Sequence, residues 1–379
     1  MNRRIAVLMG TRPEAIKLAP VISALADADG LEPFVVNTGQ HRELIDQVIS
    51  RFGIHVDRDL AVMRPDQSLA TLTGRLVTAI DEVLVATDPS MVIVQGDTTT
   101  VLAGALASFY RRVPVGHVEA GLRTGDLASP FPEEANRRLT TTLAALHFAP
   151  TERSEQNLLA EGVDASRVLV TGNTVIDALH MEVARQRAPE TREAITRQLT
   201  AIVGPEFGER PMVLVTGHRR ENFGEGFQQI CDALAELARR HAETLFVYPV
   251  HLNPNVKQVV HQRLGDAKNI RLVPPQSYRE FVALLERCTL VLTDSGGVQE
   301  EAPSLGKPVL VMRDTTERPE GVDAGTVKLV GPVAEAIIEN AHRLLTDSAA
   351  YRQMAEATNP YGDGQASGRI VGAIQQFFA

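Results

Sequence analysis

One pattern recurs along the whole chain: a short apolar run, then a polar turn, then a helical segment. Two series of such runs can be recognised, at residues 5–9, 33–37, 91–94, 114–118, 146–149 and 168–170, and again at 212–216, 244–249, 270–273, 291–294 and 309–312. Apolar runs without polar alternation are typical of parallel strands that are buried on both faces, with the helices as crossovers. The pattern therefore predicts an α/β chain with two doubly wound parallel sheets.

The length of 379 residues agrees with two domains. The segment between residues 175 and 198 is charged and helical and contains no strand-like run, so we interpret it as the connection between them. The predicted domains are residues 1–174 and 175–358, two Rossmann-like units with a deep cleft between them. A break rich in glycine and proline then precedes a last amphipathic helix, within residues 359–379.

Composition and charge exclude several classes of function. The formal net charge is −9, which disfavours nucleic acid as a partner. No apolar run reaches the roughly 18 residues of a membrane span, and the N-terminus lacks the apolar segment of a signal peptide. Cys231 and Cys288 have no metal-like or redox spacing, so we expect buried thiols in a reducing compartment. We expect a cytoplasmic protein without nucleic-acid or membrane partners.

The stretch Val291–Glu301 predicts an anion site. An apolar strand ends at the turn Asp294-Ser295-Gly296-Gly297, and a short helix is predicted from Val298 to Ser304. Two glycines at such a turn allow close approach of a ligand, and the free amides of a helix start attract phosphate. Glu300 and Glu301 could accept hydrogen bonds from sugar hydroxyls. An ordinary surface turn, with glycine for tightness, explains this motif alone equally well.

Three carboxyl groups follow predicted strands of the first domain. Asp97, Glu119 and Glu133 lie just past strand ends or on the loops after them. Ligands of doubly wound sheets bind at the carboxyl ends of the strands, so we expect these acids to converge there. Any one of them alone could be a helix cap.

Two cations, Arg12 and Lys17, lie near the start of the first predicted helix. Cations oppose the helix dipole at that end, so their placement favours a bound anion, although solvation of two long side chains is the alternative. The preceding turn has no GxGxxG sequence, which argues against a dinucleotide.

Four histidines also follow predicted strands: His41, His117, His218 and His251. No HExxH or paired-cysteine spacing accompanies them, so we expect hydrogen-bonding histidines and no metal. A serine hydrolase is disfavoured because the chain has no GxSxG sequence.

The two sets of residues together suit a nucleotide diphosphate. The turn at Ser295, with Arg318, would hold the phosphates, and the acids would lie beside whatever the phosphate carries. This arrangement favours chemistry at an activated sugar, where the diphosphate leaves and a carboxylate moves a proton.

The chain resembles a known family, the non-hydrolysing UDP-N-acetylglucosamine 2-epimerases, over nearly its whole length. The motifs that carry the resemblance, in order, are GTRPEAIK (10–17), TGQH (38–41), QGDTTT (95–100), HVEAGLRT (117–124), PEEANR (132–137), GHRREN (217–222), PVHLNP (249–254), DSGGVQEE (294–301) and RDTTERPE (313–320). The resemblance implies a glycosyltransferase-B-like fold, a C-terminal helix that returns to the first domain, and a homodimer. It also implies interconversion of UDP-GlcNAc and UDP-ManNAc with neither NAD nor metal as cofactor.

The resemblance assigns roles to matching residues. Asp97, Glu119 and Glu133 would be the acid and base groups, with Arg137 and His218 supporting them. The residues that would hold UDP are Arg12, Lys17, His218, Gln276, the Phe281 backbone, Ser295, Gly296, Gly297, Arg318 and, on the ribose, Glu301. The implied mechanism breaks the sugar C1–O bond, forms a 2-acetamidoglucal and returns UDP after protonation of the other face.

Some family members are activated by a second UDP-GlcNAc beside the active site. Here Gln40, Glu134, Arg219 and His251 match that pattern, whereas Glu43 and Asp66 replace the glutamine and arginine that we expect. Two extra acids near a diphosphate predict weak or altered activation.

Three alternatives stay open at the level of sequence. A hydrolysing epimerase would release ManNAc and UDP, and a glycosyltransferase of the same fold would need an acceptor. A nucleotide-sugar-binding regulator without catalysis is disfavoured by the three acids, because binding a diphosphate needs cations and not carboxylates.

Overall fold

The computed structural model describes residues 2–39, 42–64, 66–217, 219 and 222–379; the side chains of residues 42–44 and 255 lie outside that description as well. The chain divides into two compact units, which are described separately. Unit 1 contains Met1–Ala178 and Tyr361–Ala379, and unit 2 contains Leu179–Pro360. The boundary falls within one helix, Thr174–Gln186.

Unit 1 is a parallel sheet with helical crossovers. Its strands are β1 (Arg3–Met9), β2 (Leu31–Asn37), β3 (Arg58–Asp59), β4 (Met91–Gln95), β5 (Val115–Val118), β6 (Leu146–Ala149) and β7 (Val168–Val170). Its helices are α1 (Arg12–Ala26), α2 (Arg42–Phe52), α3 (Leu69–Thr87), α4 (Thr99–Tyr110), α5 (Glu133–Leu143), α6 (Glu152–Ala160) and the first part of α7 (Thr174–Gln186). Within the described residues the sheet order is β3-β2-β1-β4-β5-β6-β7.

The strand order reverses beside β1, which pairs in parallel with both β2 and β4. The loops that leave β1 and β4 therefore turn to opposite faces of the sheet and open a crevice at their carboxyl ends. This topology places the turns after Met9 and Gln95 at the position where doubly wound sheets bind their ligands.

Aliphatic side chains fill the core of unit 1, because aromatic residues make up only 4% of the chain and tryptophan is absent. Residues of β1, β4, α3 and α4 form one buried cluster that includes Leu8, Val94 and Leu76. Helix α4 is rich in small residues and lies close on the sheet: a Cβ at Gly104 would lie 2.5 Å from Cδ1 of Leu8. Close packing of this kind compensates for the lack of large side chains.

Unit 2 repeats the architecture with another parallel sheet. Its strands are β8 (Met212–Thr216), β9 (Leu245–Pro249), β10 (Ile270–Val273), β11 (Leu290–Thr293), β12 (Val309–Val311) and β13 (Val327–Leu329). Its helices, after the rest of α7, are α8 (Pro189–Val203), α9 (Glu225–Arg240), α10 (Pro254–Leu264), α11 (Tyr278–Arg287), α12 (Gly296–Ser304), α13 (Pro319–Asp323), α14 (Ala334–Thr346) and α15 (Ser348–Ala355). The order β10-β9-β8-β11-β12-β13 holds for the part of the chain that is described.

The reversal in unit 2 lies between β8 and β11, which pair in parallel. The turn that follows β11 therefore occupies the ligand-binding position of this second sheet. Buried clusters cover both faces of the sheet, one around Phe246 and Leu234 and the other around Val247 and Leu284.

The last helix, α16 (Ala366–Phe377), belongs to unit 1 and packs against α1. Its start is held by Asp177, whose carboxylate accepts hydrogen bonds from the amides of Ala366 at 3.2 Å and Ser367 at 2.8 Å. A carboxylate at this position satisfies free amides and complements the helix dipole.

The predicted α/β class with two parallel-sheet units is confirmed, and the element bounds agree to within a few residues. Strands β3 and β13 were not predicted, because each is only two or three residues long and carries exposed charge, Arg58 and Asp59 in one and Lys328 in the other. The predicted start of α12 at Val298 is wrong: both glycines of the turn lie inside the helix. Among the described helices, none is long and apolar enough to cross a membrane.

Candidate active site

Glu14 joins the loops that follow β1 and β4. Its carboxylate accepts hydrogen bonds from the amides of Gly10 at 2.9 Å and Thr11 at 2.6 Å, and from the Thr98 hydroxyl at 2.6 Å. Burial raises the pKa of Glu14, and these hydrogen bonds oppose that rise. Glu14 thus closes a capping box with Thr11 at the start of α1 and, through Thr98, also holds the loop that carries Asp97.

Glu119 follows β5 and accepts hydrogen bonds from three described side chains. Its Oε1 accepts from Nζ of Lys17 at 2.5 Å and from the Asn173 amide at 3.2 Å, and its Oε2 accepts from the Gln95 amide. The Lys17 and Glu119 side chains are 12% and 6% exposed. Glu119 has a left-handed backbone with φ of 63°, a conformation that is uncommon outside glycine and is found at sites whose surroundings enforce it.

Asp97 lies one strand away and is paired with Arg137. Nη2 of Arg137 donates to the carboxylate at 2.5 Å, and the side-chain amide of Asn136 donates to the Asp97 carbonyl at 2.8 Å. Burial is the largest influence on Asp97 and raises its pKa; Arg137 counteracts this, and the charges of Glu119 and Glu133 raise the pKa further. Glu133 is the first residue of α5. The charges of the other two acids thus act on Asp97.

Glu134, the next residue of α5, is fully buried. It accepts from the amides of Thr124 at 3.1 Å and Gly125 at 3.3 Å, and it pairs with Arg137 at 3.2 Å and Arg138 at 3.1 Å. Arg137 therefore lies between Asp97 and Glu134, and Glu134 anchors both this arginine and the loop after β5.

His117, at the end of β5, stays neutral and supports the turn before Asp97. One ring nitrogen, Nε2, lies 2.7 Å from the carbonyl oxygen of Gly96, which can only accept, so the imidazole donates. Burial lowers the pKa of His117 to about 4. Gly96 has φ of 80°, a backbone conformation that glycine adopts without strain.

In unit 2, helix α12 presents its N-terminus at the end of β11. Ser295 is the N-cap residue with an extended backbone, and both glycines follow in the first turn. A Cβ at Gly296 would lie 3.2 Å from Cζ of Arg318, whereas a Cβ at Gly297 would meet nothing within 4 Å. Amides, helix dipole and a guanidinium therefore lie together at a site with open space, as an anion site requires.

Two acids of α12 orient the groups around this turn. Glu300 is 1% exposed and pairs with Nε of Arg318 at 2.7 Å. Glu301 accepts a hydrogen bond from the Tyr278 hydroxyl at 3.1 Å. Glu300, which the sequence suggested as a partner for sugar hydroxyls, holds the arginine in this structure.

Other predicted UDP-binding residues occupy both units. Arg12 is the first residue of α1. Gln276 donates to the Pro274 carbonyl at 2.6 Å, in the loop between β10 and α11. The amide of Phe281 donates to the Ser277 carbonyl at 2.9 Å, so this N–H is engaged in the first turn of α11.

Comparison with known proteins identifies the family to which this arrangement belongs. The family model described as UDP-N-acetylglucosamine 2-epimerase matches residues 23–375. The chain belongs to the UDP-N-acetylglucosamine 2-epimerase family. A UDP-N-acetylglucosamine 2-epimerase of Yersinia pestis is 55% identical over 373 residues, which cover 98% of each chain. One of Escherichia coli K12 is 54% identical over 372 residues, again 98% of each chain.

A solved structure extends the likeness to the fold of this epimerase family. The UDP-GlcNAc 2-epimerase of Neisseria meningitidis, solved with bound UDP-GlcNAc, superposes with a TM-score of 0.91 at 48% identity. The match covers 98% of this chain and 100% of that one. The family membership also identifies the chain as an isomerase that acts as a UDP-GlcNAc 2-epimerase.

The residues predicted for an activator site are only partly described. Gln40 and the side chain of Glu43 lie outside the described residues; so does His218, which was predicted for the catalytic and UDP site. Asp66 is exposed, with φ of 54°, two residues before the N-cap of α3. His251 is exposed in unit 2, and the Arg219 amide donates to Asp294 at 2.8 Å. In the described part of the chain, no group of three or more His, Cys, Asp or Glu side chains could hold a metal ion.

Two residues that hold Glu119 were missed by the sequence analysis. Gln95 and Asn173 both donate to Glu119, but neither carries a charge that would mark it as functional. A usable signal was their position, because Gln95 ends β4 and Asn173 follows β7 at the same edge of the sheet.

Proposed function

We propose that this chain epimerises UDP-GlcNAc to UDP-ManNAc, reversibly, by eliminating UDP and adding it back across a 2-acetamidoglucal intermediate. The observation that carries the proposal is the pair of neighbouring carboxyl groups with different partners. Burial raises the pKa of Asp97, which is paired with Arg137. Glu119 accepts hydrogen bonds from Lys17, Gln95 and Asn173. Inversion at C2 needs a proton to leave one face and arrive at the other, and two carboxyl groups in different environments suit these two roles.

The order of bond changes follows from the substrate. The C2–H bond of the sugar has no neighbouring carbonyl, so direct removal of the proton is difficult. Breaking the C1–O bond to the diphosphate first gives C1 oxocarbenium character, which acidifies C2–H. Loss of that proton to a carboxylate gives the glucal; protonation of C2 from the other face and return of the UDP oxygen to C1 complete the epimerisation.

Unit 2 would stabilise the departing diphosphate. The start of α12 at Ser295, Gly296 and Gly297 offers backbone amides, and Arg318 adds a fixed positive charge. Preorganised donors at a developing anion contribute roughly 3 kcal/mol each. The remaining proposed UDP contacts are the matches made by resemblance: Arg12, Lys17, His218, Gln276, Phe281 and Glu301, the last on the ribose.

The experiment that tests this function is incubation with UDP-GlcNAc in D2O, followed by proton NMR of the products. We expect UDP-ManNAc and recovered UDP-GlcNAc to carry deuterium at C2. Epimerisation with complete retention of the original hydrogen would contradict the mechanism. Accumulation of free ManNAc and UDP as the main products would instead indicate the hydrolysing reaction.

Two variants test the acids directly. Asp97→Asn and Glu119→Gln should each lower kcat by about 10²- to 10⁴-fold, the usual contribution of a general acid or base. Calorimetry should show that both variants still bind UDP. Wild-type turnover in both would remove the two residues from catalysis.

The proposal extends to regulation by substrate. Asp66 is exposed near the start of α3, and together with Glu43 it would add negative charge beside a second diphosphate. We therefore expect weak activation by UDP-GlcNAc, seen as nearly hyperbolic kinetics. Strongly sigmoidal kinetics would contradict this expectation.

A further inference from the structure

We propose that Lys17 alternates between two anions: it pairs with Glu119, and it moves to the diphosphate when the substrate binds. Glu119 would then exchange a proton only in the presence of the substrate. The inference deepens the proposed function and rests on it, because the diphosphate is that of the UDP-sugar.

The ion pair between Lys17 and Glu119 is short and almost removed from water. Nζ of Lys17 lies 2.5 Å from Oε1 of Glu119, and the side chains of Lys17 and Glu119 are 12% and 6% exposed. Charges in such a site interact more strongly than on the surface, because water does not screen them. Any anion that binds Lys17 therefore has to compete with Glu119 for its ammonium group.

Lysine is the mobile member of the pair. Glu119 is fixed by a left-handed backbone and by the amides of Gln95 and Asn173, which still hold its carboxylate when Lys17 leaves. Lys17 carries its ammonium on a flexible four-carbon chain in the second turn of α1. A diphosphate carries more negative charge than a single carboxylate, so it attracts the ammonium group of Lys17 more strongly.

The exchange has a catalytic consequence. A carboxylate that is paired with an ammonium group holds its charge and is a weak proton acceptor. Withdrawal of Lys17 by the diphosphate would strengthen Glu119 as a base at the moment when a sugar is present. The same lysine would then stabilise the leaving group, so that one side chain links binding to proton transfer.

The exchange also predicts a measurable competition. If Glu119 and the diphosphate share Lys17, the charge of Glu119 must weaken the binding of UDP, because coupling between two sites is reciprocal. Removing that charge should strengthen UDP binding, and it should do so only while Lys17 is present.

The test is calorimetric titration of UDP into four proteins: wild type, Glu119→Gln, Lys17→Gln and the double variant. We expect Glu119→Gln to bind UDP about tenfold more tightly than wild type, within the usual range of coupling between sites. In the Lys17→Gln background, the same change should alter UDP affinity by less than about twofold. A KM that rises with unchanged kcat in Lys17→Gln would assign Lys17 to the phosphates alone and overturn the inference.

Asp97→Asn provides the matched control. It removes a neighbouring carboxylate whose described partner is Arg137, so any change in UDP affinity should be the same with and without Lys17. Thermal melting establishes that each variant is folded.

The inference is overturned if Glu119→Gln leaves UDP affinity unchanged, or if its gain persists without Lys17. Because these titrations need no turnover, they are independent of the deuterium experiment, which tests the proposed function by itself. Failure of wild type to bind UDP at all would overturn both.

Discussion

Arg137 donates a 2.5 Å hydrogen bond from Nη2 to the carboxylate of Asp97. The other terminal nitrogen of the same guanidinium pairs with the buried Glu134 at 3.2 Å. Asp97 is therefore positioned through Arg137 by an acid that carries no catalytic assignment of its own. An anchored arginine of this kind keeps the carboxylate in place while leaving its second oxygen for chemistry.

Glu134→Gln should destabilise the protein. The change removes a fully buried carboxylate that accepts hydrogen bonds from two backbone amides and forms ion pairs with two arginines. Removing one partner of a buried ion pair costs about 3 kcal/mol. Urea unfolding measures the loss, and kcat should fall because Arg137 loses its support. Glu335→Gln, at an exposed position in the first turn of α14, is the control and should change the free energy of unfolding by less than about 0.5 kcal/mol. Equal effects of the two changes would contradict the assignment.

Gly296→Ala and Gly297→Ala should give different results, although the glycines are adjacent. A methyl group at Gly296 meets Arg318 at 3.2 Å, so this variant should lose stability as well as UDP affinity. A methyl group at Gly297 enters open space. The free energy of unfolding of Gly297→Ala should therefore equal that of wild type, or exceed it by up to about 1 kcal/mol because alanine favours helix. Its UDP affinity should still fall at least tenfold, because the methyl group takes the space proposed for phosphate. Unchanged UDP binding in Gly297→Ala would move the phosphate site elsewhere.

Two buried histidines should make the protein sensitive to acid. Burial lowers the pKa of His117 to about 4 and that of His147 to about 3, from an ordinary value of 6.5. Between pH 6.5 and 4.5 each of these imidazoles therefore becomes protonated in the unfolded chain but stays mostly neutral in the folded protein. The free energy of unfolding should fall over this window by roughly 2 kcal/mol for each histidine.

His147→Leu isolates this effect. Neither ring nitrogen of His147 has a hydrogen-bond partner among the described residues, so leucine removes two unsatisfied atoms and no hydrogen bond. We expect the variant to be at least as stable as wild type at pH 7, and to lose less stability by pH 4.5 in denaturant titrations. The exposed His55→Gln is the control and should keep the wild-type pH dependence. A pH dependence of His147→Leu equal to that of wild type would contradict the assignment to His147.

Much of the fold could be predicted because each strand is a short apolar run and each crossover a helix with clear ends. The positions of Asp97, Glu119 and Glu133 followed from the same logic, since the carboxyl ends of parallel strands meet at one edge of a sheet. Short edge strands such as Arg58–Asp59 carry no such signal, because their pairing depends on neighbours that are distant in the sequence.

The contacts within the site could not be predicted from spacing. Lys17 lies 102 residues from Glu119, and Asn173 lies 54 residues from it, so only the folded sheet brings them to one carboxylate. Sequence reasoning assigned Lys17 to the phosphates, and Glu300 to sugar hydroxyls, because charge alone does not name a partner. The structure shows that Lys17 pairs with Glu119 and that Glu300 pairs with Arg318.

The claim on which the account depends is that the C1–O bond breaks during epimerisation. The most direct measurement uses UDP-GlcNAc with ¹⁸O in the oxygen that bridges C1 and the β-phosphorus, followed by phosphorus NMR of the recovered nucleotide sugars. We expect the label to scramble into the non-bridging positions of the β-phosphate, because a released diphosphate can rotate before it returns. Full epimerisation with the label still in the bridge would contradict the account.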